Sequence, residues 1–141
     1  MNISVIGATG KPVKSDLYAQ TVLAVQSFAR QLGISRLKLN LEIQLFHKVF
    51  LDDQGTEGDC YPVSNRLFTI RTAMYGHWLS TLAHEMVHVK QFAKGELDPM
   101  LTSWKSNKYC SNIDYWDQPW EKEARRLQDR LVSKFIEELN Q

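Results

Sequence analysis

The residues best equipped for chemistry in this chain are His84-Glu85-Met86-Val87-His88. Residues four apart lie one above the other on a helix surface, so His84 and His88 can each aim one ring nitrogen at a single ion. Glu85, next to the first histidine, then stands beside that ion, where a carboxylate can hold and deprotonate a metal-bound water. The chemistry this arrangement suits is metal-assisted hydrolysis.

The arrangement works only on a helix, and the flanking residues supply one. Leu79, Leu82, Ala83, Met86 and Ala93 recur at three- and four-residue spacing, and no proline falls between Gly76 and Gly95. Gly95 is a natural stop, and Lys90 and Lys94 suit the negative end of the helix. Both histidines fall at the edge of the apolar stripe, where a site shielded from water belongs.

Catalytic zinc takes three protein ligands, so a third is needed. The candidates are His47, His77 and the downstream acids Glu96, Asp98, Asp114, Asp117, Glu121 and Glu123. His77 lies two turns from His84, too far to share its ion easily. His47, at the end of a long strand, stays a candidate. Glu121 and Glu123 open a second amphipathic helix that starts at Pro119, after Asp117 or Gln118 as N-cap, and runs to about Leu139. Trp120, Ala124, Leu127, Leu131 and Phe135 form its inward face. Glu121 sits roughly 55° from the centre of that face; Glu123 sits roughly 105° away on the other side, tilted toward solvent. Glu121 is the favoured ligand and Glu123 the alternative.

The stretch from Glu96 to Asp117 reads as a long irregular loop, the kind that serves as a lid. Its tyrosines are candidates for stabilising a developing oxyanion, Tyr115 first and Tyr109 second, whereas Trp104 and Trp116 read as core packing.

The rest of the chain positions these residues. Ser15 or Asp16 caps a helix to about Leu32, with Tyr18, Val22, Val25, Ala29 and Leu32 as its buried stripe and Gly33 as its end. Leu37, Leu39, Leu41, Ile43 and Leu45 alternate with polar residues in a strand wet on one face. Gly58 to Val63 and Arg66 to Thr72 make two more strands around a Ser64-Asn65 turn. The acidic residues Asp52, Asp53, Glu57 and Asp59 lack the order of a calcium loop and read as a solvated loop. Gly7-Ala8-Thr9-Gly10 resembles a dinucleotide-binding turn only superficially, since Pro12 follows and no third glycine does.

With 141 residues, 43% of them hydrophobic and 23% charged, the chain is expected to form one domain over residues 1–141. A net charge of +1 gives no electrostatic case for nucleic acid or a membrane surface. No apolar run approaches the roughly 18 residues of a membrane span. Met1 to Lys14 lacks a signal-peptide pattern, and Cys60 and Cys110 lack metal-site spacing. The expectation is two free thiols and a cytoplasmic protein, in the host or bacterial cytoplasm if phage-encoded.

The pairing of His84-Glu85-Met86-Val87-His88 with Glu121-Lys122-Glu123-Ala124 resembles the gluzincin clan of zinc metallopeptidases in a minimal form. It is also similar to the compact SprT-like domains encoded by phages and bacteria. The resemblance is motif-level from Gly76 to about Arg130. It implies an α+β, zincin-like fold with an N-terminal helix, a small, mostly antiparallel three- to four-stranded sheet, the motif helix and a C-terminal helix. It implies zinc held by His84, His88 and a glutamate from the last helix, with Glu85 as general base. The chain departs from the pattern at Arg125, where gluzincins often carry an acid, and in having no downstream histidine of the kind many SprT-type domains use. The expected activity is peptide-bond hydrolysis on a peptide or protein substrate, with an adaptor or assembly partner as a further expectation. The alternatives are a non-catalytic zinc module and a protease acting on DNA-bound proteins. The strand from Arg66 to Thr72 is the expected docking edge for an extended peptide.

Overall fold

The computed structural model describes residues 1–7, 10–47, 57–108 and 113–141. Tyr109, Cys110 and the acidic residues Asp52 and Asp53 lie outside them. In chain order the described elements are β1 (Asn2–Gly7), α1 (Ser15–Leu32), β2 (Asn40–Phe46), β3 (Gly58–Pro62), β4 (Leu67–Ala73) and α2 (Trp78–Ala93). A short hairpin follows, β5 (Ser103–Trp104) and β6 (Asn107–Lys108), then a 3-10 turn at Tyr115–Asp117 and α3 (Pro119–Leu139). This is an α+β chain of three helices and a small mixed sheet.

The four-stranded sheet has the order β1-β2-β4-β3. β1 pairs parallel with β2, and β2 parallel with β4; only β3 and β4 are antiparallel. The mostly antiparallel sheet expected from sequence is therefore corrected to a mixed one. Alternation of apolar and polar residues tells which face of a strand is buried but not which way its neighbour runs. α1 carries the chain back between β1 and β2, which makes that pair parallel. β3 occupies the far edge, and the chain returns from it through a turn in which the Ser64 hydroxyl accepts the Leu67 N–H at 3.1 Å. That return inserts β4 in the interior of the sheet. β4 is thus an interior strand with no free edge, and β3 lies at the edge of the sheet.

On β2, Leu41, Ile43 and Leu45 are buried while the alternate residues stay accessible, as the pattern requires. Register aligns Val5, Ile43, Ile70 and Cys60 on one face of the sheet. α1 and α2 cover that face, and α3 packs across both helices. The core joins all of these elements, with Phe28, Phe68, Phe135, Ile43, Ile70 and Met86 completely enclosed.

α1 has the expected bounds, ended by Gly33 in a left-handed conformation at φ 74°. Its cap differs: Lys14 occupies the N-cap and no side chain bonds the free amides. Its buried stripe agrees with the expected one at Val25, Ala29 and Leu32, and Val22 packs partly buried against the core, but Thr21, Ala24 and Phe28 also face inward and Tyr18 is exposed. The bulk of Phe28 decides this, because its ring meets Phe135 of α3 edge-on, with centroids 6.0 Å apart. α3 begins at Pro119 after a Gln118 N-cap and buries the five apolar residues foreseen for it, together with Glu121. Nor is the stretch after α2 irregular throughout. Trp104 bridges back to Leu97 and is buried with Trp120, whereas Trp116 is exposed rather than packed in the core.

Since the Phe28–Phe135 contact ties α1 to α3, Phe28→Ala should cost about 3–5 kcal/mol in urea unfolding. A loss under about 1 kcal/mol would contradict this packing.

Candidate metal centre

α2 and α3 pack against each other, and Leu82, Ala83 and Met86 of the one and Ala124, Leu127 and Leu131 of the other are buried in the common core. Ala124, with only a methyl group, lets the first turn of α3 approach α2 closely. This carries Glu121 to the two motif histidines. His84 Nε2 lies 2.8 Å from Glu121 Oε1, and His88 Nε2 lies 3.0 Å from Glu121 Oε2. The two imidazole rings are 5.1 Å apart at their centroids and steeply inclined. The side chains of His84, His88 and Glu121 are 15, 8 and 11% exposed, shielded from bulk water yet open to a cleft. Donor atoms of His84, Glu85 and His88 all lie within 4.8 Å of one another.

The other ring nitrogens are tied down. His84 Nδ1–H donates to Gln128 Oε1 at 2.7 Å, and His88 Nδ1–H donates to Gln91 Oε1 at 2.8 Å. Gln91 is completely buried, and its amide nitrogen donates to Trp120 O and Glu123 Oε1. That leaves its oxygen for His88. Both imidazoles therefore turn Nε2 toward the centre of the cluster, the orientation a metal ligand needs. Ligand atoms about 2.0–2.1 Å from a tetrahedral ion are spaced roughly 3.3 Å apart. His84, Glu85 and His88 bring donor atoms close enough together to hold a metal ion, and Glu121 stands against both Nε2 atoms beside them.

Electrostatics separates the two carboxylates. Burial pushes Glu85 above its usual range, and the pull of His88 and His84 does not cancel that push. Burial would raise Glu121 too, but the hydrogen bonds from His84 and His88 outweigh it and hold Glu121 far below the usual carboxylate range. The same bonds overcome the opposing effect of burial on the histidines, lifting His88 to about 9. Tyr115, on the 3-10 turn before α3, stays a phenol well above its ordinary range, first through burial and then through the charge and hydrogen bond of Glu121.

The cluster opens into a cleft of about 650 Å³ lined by β3, α2, the chain after α2 and the start of α3. Tyr115 lines it. Arg125 holds the turn that bears Tyr115: Nη2 donates to Trp116 O at 2.8 Å, and the guanidinium lies 4.5 Å over the Trp116 ring. At Gly58, an added Cβ would stand 2.6 Å from Thr81 Cγ2 and 3.0 Å from Arg71 O. Glycine is what lets β3 lie close against α2 beside Glu85. Cys60, a free cysteine on β3, also lines the cleft, its thiol kept protonated by burial and then by the charges of Glu85 and Asp59.

The structure thus brings Glu121, His84, Glu85, His88 and Tyr115 together. Glu123 turns instead to Lys90 and Gln91, bonding them at 2.8 and 3.0 Å. It is largely enclosed rather than tilted to solvent, because the C-terminal turn of α2 covers it. His77 bonds Glu57 at 2.6 Å on the cleft rim, and His47 is exposed and outside the cleft lining. Sequence reasoning missed Gln91, Gln128 and Gly58. The first two carried a signal: Gln128 follows Glu121 by two turns, and Gln91 follows His88 by three residues.

Comparison of the chain with protein-family models, curated proteins and solved structures gave no match.

Replacing either anchoring amide, in Gln91→Leu or Gln128→Leu, should weaken zinc binding by about 10- to 100-fold in competition with a chelator. Wild-type affinity in both variants would show that these amides do not orient the ligands.

Proposed function

We propose that this chain is a zinc-dependent peptidase with a zincin-like fold, in which His84, His88 and Glu121 hold the metal and Glu85 is the general base. One observation carries this reading: Glu121, from a helix 33 residues downstream of His88, meets both motif imidazoles inside a cleft that also holds Glu85. A bare five-residue pattern does not demand such a partner. Its presence at that point supports the likeness to gluzincins.

Zinc, when bound, would supply a Lewis acid and lower the pKa of its water toward neutrality. The remaining work falls to the chain. Glu85, buried between the two histidines in sequence and lining the same cleft, is placed to take a proton from the attacking water and return it to the leaving nitrogen. Glu121, held ionised, is suited to the constant role of ligand. Tyr115 keeps its hydroxyl proton and can donate it in a hydrogen bond to a developing oxyanion, a contribution typically worth a few kcal/mol. β3, at a sheet edge on the cleft, offers its outer main chain to an extended peptide. This takes over the docking role that sequence reasoning gave to β4. The cleft lining contains no lysine or arginine among the described residues, which speaks for a peptide rather than a nucleic-acid complex as ligand.

Zinc content and hydrolysis of a labelled protein such as casein test the assignment together. Glu85→Gln should retain zinc and lose turnover, Glu121→Ala should lose zinc, and Glu123→Ala should keep it. Full hydrolysis by Glu85→Gln would remove the base, and full zinc in Glu121→Ala would remove the third ligand. Zinc retained by the wild type with no hydrolysis of any protein offered would point to the non-catalytic zinc module instead.

A further inference from the structure

Thr72, on β4, is completely buried, and its Oγ1 has no hydrogen-bond partner. Buried polar groups are nearly always bonded, because an unsatisfied donor has given up its bond to water for nothing in return. Valine would fill the same space without that cost. A threonine kept at such a position calls for a use of its hydroxyl.

Two independent features place that hydroxyl beside Glu85. Thr72 follows Ile70 by two residues, so it points to the sheet face that α2 covers. Its partner across the β3–β4 ladder is Gly58, and positions paired in this way stand about 5 Å apart on one face. A Cβ on Gly58 would lie 3.4 Å from Glu85 Cγ, so the neighbouring position on β4 looks onto the same turn of α2. The run of the helix gives the same answer. Only four residues separate β4 from α2, and the helix returns over the strand. The Phe68 ring stacks on Phe92 with centroids 6.2 Å apart, which sets the start of β4 against the end of α2. Thr72 lies about 13 Å further along the strand. The same distance back along the helix is about nine residues, which reaches the turn from Thr81 to Glu85.

What stands there is an acceptor in the same condition. Glu85 is buried, and no side-chain hydrogen bond reaches its carboxylate among the described residues. The other polar group near Thr72, Cys60 diagonal to it on β3, offers only a weakly accepting sulfur. A buried donor without an acceptor thus shares a level of the fold with a buried acceptor without a donor.

We propose that Thr72 is a positioning residue for Glu85: its hydroxyl, through one shared water, holds one carboxylate oxygen toward the sheet so that the other faces the attacking water. This rests on the peptidase reading, with Glu85 as base, and adds the group that fixes how the base is turned. The last torsion of a glutamate is broad and nearly two-fold, so an untethered carboxylate spends much of its time misaligned. One bond on its inner oxygen removes that freedom, and alignment of this kind is worth a large factor in rate. A water between the two groups satisfies both at once.

Thr72→Val keeps the shape and removes the hydroxyl; Thr72→Ser keeps the hydroxyl. With zinc-loaded protein and a fluorogenic peptide taken from a casein cleavage site, Thr72→Val should lower kcat about tenfold or more. KM and zinc content should stay within about twofold of wild type, and Thr72→Ser should restore most of kcat. A second measurement needs no turnover. Urea unfolding of the metal-free wild type, Thr72→Val, Glu85→Gln and the double variant forms a double-mutant cycle. The unfolding constant of the double variant should depart from the product of the single effects by about fivefold or more. An unchanged kcat in Thr72→Val, or a loss that Thr72→Ser does not restore, overturns the inference and keeps the peptidase reading. No hydrolysis by the wild type, with the coupling present, sustains the Thr72–Glu85 link and removes the peptidase reading. Additive effects in the cycle overturn the link in either case.

Discussion

The contact of Glu121 with His84 and His88 across the α2–α3 interface is the constraint around which the site is arranged. Taking imidazoles and carboxylates out of water is costly unless each meets an opposite charge, a hydrogen-bond partner or a metal. The chain meets this cost with partners from two helices. Gln91 and Gln128 take the outward N–H of each ring, and Glu121 takes the inward side of both. A second set of contacts, Lys90 with Glu123 and Glu96, fixes the rotation of α3 about its axis near that point. Glu123 lies about 160° round α3 from Glu121, and the Lys90 ion pair and Gln91 amide that hold it help keep Glu121 turned to the histidines.

Two carboxylates in one cluster can take different roles only if their surroundings push their proton affinities apart. That is the case for Glu85 and Glu121. Glu85 is buried with no hydrogen-bonded cation on it among the described residues, so its proton affinity rises; Glu121 meets both imidazoles, so its affinity falls. The first suits a group that accepts and releases a proton, the second a group that stays charged. Tyr115 belongs to the same balance, because the negative Glu121 beside it keeps the phenol protonated and therefore a donor. Arg125, which stands where gluzincins often carry an acid, acts on this arrangement through the turn it holds rather than through a histidine.

Much of this was legible in the sequence, for physical reasons that also mark where legibility ends. Helix periodicity placed α2 and α3 within a residue or two, and the angular position of Glu121 on α3 separated it from Glu123. The alternation on β2 gave its buried face. Direction of pairing and strand order were not legible, since side-chain alternation is the same in parallel and antiparallel pairs, so β4 was expected at an edge that β3 occupies. On α1 the expected stripe held at Val25, Ala29 and Leu32, but Tyr18 was included and Phe28 passed over, since the contact that turns Phe28 inward is with Phe135 of another helix. Gln91 and Gln128 were passed over because an amide carries no charge to draw attention in a list of residue types. Their importance arises only once two helices face each other. The left-handed backbone of Leu101, at φ 59°, had no local signal at all, as nothing about leucine foretells it.

β3 has a consequence beyond the site. A strand edge open to a peptide is equally open to the same strand of a second copy, and such edges are where folded proteins begin to aggregate. This strand is five residues long, with Gly58 at one end and Pro62, which has no N–H to offer, at the other. Asp59, paired across the sheet with Arg71, places charge on it as well. Short length, a proline and an ion pair keep the edge too small for self-templating growth while leaving a few main-chain groups accessible. The same features that restrict association between copies also restrict how much of any one chain this edge can hold at a time.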